Sequence, residues 1–218
     1  MPDHPRPLRK WLRLTGFTLG GLVAILLVLA AVGFGLSLLD EMRLREDSRT
    51  HEGSLEGNGA VRGHANRLLA RLPPRSTLGD NAFRFVAVPE LSYYTYVVSL
   101  SAKGATVEGV LITTERSRDE KKTTTTEQNF TMPRNDYHAL VTEMDHLADH
   151  FGGDDSMGCL DGTMIGFERI RGARVTSGIG NGGCSKHYAA IGEIVRLTLM
   201  RFVTPRGSPL GHGWYPGF

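Results

Sequence analysis

The chain has 218 residues, 40% of them hydrophobic, and carries 25 Lys and Arg against 23 Asp and Glu, a formal charge of +2. That length allows one folded domain together with a further segment. The near balance of charge excludes the Lys/Arg surplus that phosphate-backbone binding requires, so no nucleic-acid partner is expected.

Residues 1–13 contain Arg6, Arg9, Lys10 and Arg13 and read as a short cytoplasmic tail. From Leu14 to Leu39 no residue is charged, a run of 26 residues, whereas about 20 predominantly apolar residues suffice to cross the hydrocarbon core. A secretory apolar region is usually about 7–15 residues long, so residues 14–39 read as a retained transmembrane helix in contact with membrane lipid. Only Arg43, Arg45 and Arg49 follow the run closely. Cationic flanks stay on the cytoplasmic side, which places the N-terminus inside and residues 40–218 outside the cytoplasm. The Arg-, Gly- and Ala-rich style of the sequence reads as bacterial, which would make that space the periplasm and the anchored membrane the inner one. Gly16 and Gly20 stand four apart within the apolar run, a spacing that offers a transmembrane dimer contact and hence a homodimer.

The basic leader ending in Gly16, followed by Phe17, Thr18, Leu19 and a long apolar run, resembles the N-terminus of type IV pilins and pseudopilins. The resemblance implies peptidase cleavage after Gly16 and a pilin-like subunit. It spans about ten residues, and the family's glutamate, five residues into the mature chain, corresponds here to Gly21.

Residues 40–80 read as a juxtamembrane helix followed by a Gly-rich tether, with Gly53, Gly57, Asn58 and Gly59 as breakers and a short helix over 64–72 ending at Pro73 and Pro74. The folded domain is expected over residues 81–203. Phe83, Phe85 and Ala87 alternate with Arg84, Val86 and Val88, and residues 92–101 and 105–115 form a hairpin turning at Lys103 and Gly104. The Thr-rich segment 123–132 reads as an edge strand or loop.

Tyr137, Leu140, Val141, Met144, Leu147, Ala148 and Phe151 recur at three- and four-residue steps and predict an amphipathic helix over 132–152. Residues 158–171 predict a turn and strand. A second helix, over 185–202, carries the stripe Tyr188, Ile191, Val195, Leu199 and Phe202. The fold class is therefore α+β, a small antiparallel sheet with two packed helices. Residues 204–218, rich in Gly and Pro, read as a disordered tail.

Cys159 and Cys184, the only cysteines, read as one disulfide in an oxidising compartment. Closing a loop of about 25 residues is worth roughly 3 kcal/mol by the chain-entropy argument. His146 and His150 are spaced like metal ligands on a helix, with Asp154, Asp155 and Asp161 nearby. They point away from the apolar stripe, however, and Leu147 stands where a zinc hydrolase would carry its glutamate base. Residues 178–183 match the GxGxxG pattern, but no strand and acid follow at the spacing of a dinucleotide site, so they read as a Gly-rich loop using positive φ angles. Cys184, Ser185 and His187 are neighbours without a nucleophile-elbow motif. Glu168 reads as salt-bridged or solvated.

No constellation supports catalysis or a bound cofactor. The sequence favours a membrane-anchored, non-catalytic interaction module over an enzyme, with a periplasmic metal-dependent hydrolase built on His146 and His150 as the enzymatic alternative.

Overall fold

The computed structural model describes residues 8–56, 61, 63–89, 93–117, 122–149, 151–153 and 162–203. The chain divides into two compact units, Met1–Arg43 and Leu44–Phe218. Helix α1, Leu8–Ser48, supplies the described part of the first unit. Its stretch Gly21–Ser48 is long and apolar enough to cross a membrane, and Leu22, Ile25, Leu27, Leu29 and Phe34 are all exposed on it. An apolar surface all round a helix suits lipid, not water. The backbone alone is described for Gly16 and Gly20.

In the second unit the elements after α1 are β1 (His51–Glu52), α2 (Gly63–Leu69), β2 (Asn81–Pro89), β3 (Tyr94–Lys103), β4 (Thr106–Arg116), β5 (Thr123–Pro133), α3 (Arg134–Ala148), β6 (Thr163–Arg171), β7 (Arg174–Asn181) and α4 (Lys186–Leu199). The class is α+β as the patterning predicts, but the sheet is large. Seven strands run in the order β1-β7-β6-β2-β3-β4-β5, every neighbouring pair antiparallel.

Strands β2 to β5 form a meander. The chain then crosses back through α3 to set the β6–β7 hairpin on the free side of β2. That makes β2 a central strand, with Phe83, Phe85 and Ala87 buried on one face and Arg84 and Val86 on the other. The alternation in its sequence marks two buried faces, so a helix layer is needed on each side.

One layer is α3 with α4. Tyr137, Leu140, Val141 and Met144 join Tyr188, Ile191, Val195 and Leu199 over Phe83, Phe85, Tyr96, Val98 and Phe167. Ser185 caps α4, its side chain accepting from the Tyr188 N–H. Two ion-paired arginines hold α3 to β6: Arg169 to Asp145 at 3.1 Å, and Arg171 to Asp149 through two bonds of 2.9 and 2.6 Å.

The opposite layer draws on the segment 40–80, expected as a juxtamembrane helix and a Gly-rich tether. Leu55, Val61, Ala65, Leu68, Leu69 and Leu72 are buried with Val86, Val97, Ile112 and Ile179, so these residues are part of the folded unit. Gly53 and Gly79 take positive φ angles, which glycine adopts without strain. The expected tail, residues 204–218, lies outside the described residues.

Candidate functional site

Strand register assembles the most concentrated buried polar group among the described residues. His51 pairs with Ser177, Ser177 with Glu168, Glu168 with Arg84 and Arg84 with Ser99. One transverse row thus crosses five strands on the α2 face of the sheet. Glu168 and Ser177 are 0% exposed and Arg84 1% exposed. A charge so buried is tolerated only when paired and hydrogen-bonded.

The segment entering the domain supplies the hydrogen bonds to one oxygen of Glu168, while the other faces Arg84 without a hydrogen bond. Glu168 Oε2 accepts from Ser54 Oγ at 2.7 Å and from the Leu55 N–H at 2.7 Å, and its Oε1 lies 3.6 Å from Arg84 Nη1. Arg84 Nη2 donates to Glu56 Oε1 at 2.6 Å and to the Leu69 carbonyl at 2.9 Å. The segment 51–56 is therefore clamped by both members of the pair. It is fixed further by β1 and by the Gly53 N–H donating to the Val175 carbonyl at 3.0 Å.

Ser177 Oγ lies 3.3 Å from His51 Nε2, a hydroxyl–imidazole contact of the kind nucleophilic catalysis uses. The geometry does not serve that chemistry. Ser177 is sealed from solvent, and the nearby carboxylate that would orient a base is taken up by Ser54 and Leu55. The row instead fastens the entering chain to the sheet. Sequence reading missed Arg84 in this role. The available signal was a lone charge between Phe83 and Phe85 in a strand otherwise apolar on both faces.

The residues singled out from sequence are dispersed or differently employed. His146 is exposed on α3, while His150, Asp154, Asp155, Asp161 and Cys159 lie outside the described residues. Among the described residues no group of three or more His, Cys, Asp or Glu is placed to hold a metal ion. No described cysteine is free, Cys184 included. His187 stacks on Phe151, with ring centroids 3.5 Å apart and planes at 4°.

The Gly-rich stretch 178–183 is strand as far as Asn181 and a turn at Gly182 and Gly183. Gly178, Gly180 and Asn181 belong to β7, and none of its glycines has a positive φ. Close approach requires glycine at 178 and 180, where a Cβ would collide with Tyr188. The Tyr188 hydroxyl passes over the strand and donates to the carbonyl of Ser48. Burial pushes the phenol of Tyr137 up to about 12. That hydroxyl donates to Asn81 Oδ1 at 3.0 Å.

No protein-family model matches the chain, and no curated protein or solved structure matches it either.

Proposed function

We propose that this is a single-pass protein of a bacterial inner membrane, with a cytoplasmic N-terminus and a periplasmic α+β domain that acts as a non-catalytic interaction module in the cell envelope. The observation that carries this reading is the apolar helix Gly21–Ser48, long enough to cross a membrane and followed by a folded unit whose richest buried polar group is spent on holding its own chain. The excess of Arg and Lys before the span supports the orientation. In that compartment Cys159 and Cys184 are joined as a disulfide, consistent with the absence of a free cysteine among the described residues.

A reporter fused after residue 218, active only outside the cytoplasm, tests the topology. Thiol alkylation of the unreduced protein tests the bond in the same cells. A silent reporter together with two alkylatable thiols refutes the reading. Active reporter and blocked thiols are the expected result.

A further inference from the structure

The two edges of the sheet are built differently. At one edge the terminal strand β1 is two residues long and lies on β7. At the other, β5 runs for 11 residues and pairs with β4 without interruption from Arg116↔Thr123 to Thr106↔Pro133. No residue is skipped, so no bulge twists the strand away. Among the described residues nothing pairs with its outer side, and every residue of the strand except Met132 is exposed or half-buried.

Edge strands present unpaired N–H and C=O groups, and proteins ordinarily blunt them with lysines, prolines, bulges or short length. From Thr123 to Met132, β5 has one charge, Glu127, and neither Pro nor Gly. Eleven residues at the antiparallel rise give a templating edge of about 37 Å.

We propose that β5 is a self-association surface, on which a second copy of this chain adds its own β5 antiparallel to form a continuous fourteen-stranded sheet. A two-fold axis normal to the sheet keeps each face matched to itself, so it must pass beside a residue, not between two. Centred on Gln128, that axis pairs all 11 residues of both strands. Glu127 then faces Asn129, Thr125 faces Thr131, and Thr126 faces Phe130.

No like charges stand directly opposite in this register, whereas a shift of one residue towards Glu127 would set the two carboxylates against each other. A strand with a single carboxylate suits another nearly neutral strand better than a strongly charged peptide. Because the two-fold contact uses β5 of both copies and the opposite edge ends in the two-residue β1, pairing through β5 closes at two copies instead of propagating.

The test uses the full chain in detergent micelles, with molecular mass by light scattering and a short bismaleimide cross-linker acting on Gln128→Cys. A cysteine at exposed Glu143 on α3 serves as the control. Expected are a dimer, cross-linking at 128 at least tenfold above that at 143, and at least a tenfold weaker dimer in Thr126→Lys/Gln128→Lys, whose like charges meet across the axis. Circular dichroism unchanged in the double variant shows that the fold survives. The cross-link at 128 in the otherwise unaltered chain reads the contact independently of that variant.

A monomer at all concentrations overturns the proposal. So does a dimer that ignores the lysines and fails to cross-link at 128, which would place the contact elsewhere, as on the apolar helix. Open-ended oligomers, or a different protein captured at 128 by a monomeric chain, overturn it as well.

Discussion

Removing the Glu168 carboxylate leaves the Arg84 guanidinium buried, with Glu56, itself 46% exposed, as its remaining acidic partner. Breaking a buried ion pair from one side costs about 3–5 kcal/mol, while replacing both members by apolar residues is often close to neutral. Glu168→Leu and Arg84→Met are each expected to lower unfolding free energy in urea by that amount, and the double variant to recover most of it. Simple addition of the two losses would show that the pair is not coupled.

Gly180→Ala forces a methyl into the buried Tyr188 ring, an overpacking expected to cost about 1–3 kcal/mol in thermal denaturation. No loss would mean that the ring is free to move. Tyr137 adds an alkaline dependence. Its phenol shifts from 10 to about 12 on folding, so the unfolded chain releases its proton first as pH rises. The corresponding stabilisation is complete below about pH 10 and is lost towards pH 12, roughly 2–3 kcal/mol in all. Tyr137→Phe should flatten that decline, leaving the part due to Tyr96, whose phenol is also raised by burial. An unchanged slope would assign the effect elsewhere. Sequence allows Glu168 a salt bridge but names neither its partner nor the other roles, because burial of a charge or close approach to a glycine depends on which strands become neighbours.

The elements themselves were more legible. The hairpin of β3 and β4 and the stripes of α3 and α4 follow from local periodicity and turn residues, whereas the Thr-rich segment of β5 leaves edge strand and loop both open. Two other strands left no such signal. β1 is too short to leave a pattern, and the glycines of β7 have low strand propensity, their value lying in the tyrosine packed over them. In the segment before Asn81, Gly53, Gly57 and Gly59 suggest a flexible link, while Leu55, Val61, Leu68, Leu69 and Leu72 are buried. Its burial predicts that a fragment 81–203 will not unfold cooperatively by circular dichroism, whereas 44–203 will. Equal cooperativity in both fragments would return this segment to the status of a tether. Leu69, 0% exposed, reports the same contact, with Leu69→Ala expected to cost about 2–5 kcal/mol.

For the whole molecule, the uncharged run marks the apolar helix and the alternation and helical periodicity mark the α+β class, because both depend on long, repeated signals. Partner and specificity depend on surfaces that no local pattern announces. The fate of the N-terminus has a direct measurement. Sequencing of the purified chain is expected to start at Met1 or Pro2, as a retained anchor requires, and a start at Phe17 would show pilin-type processing. The order of the sheet also governs when the domain can be completed. The segment at Ser54 and Leu55 closes on Glu168, 114 and 113 residues later, and Ser48 meets Tyr188 after 140. A nascent chain can assemble the β2–β5 meander early, yet β2 keeps one side open until β6 is synthesised. The first residues of the domain thus wait for the last, and the chain is most exposed to mispairing late in its synthesis.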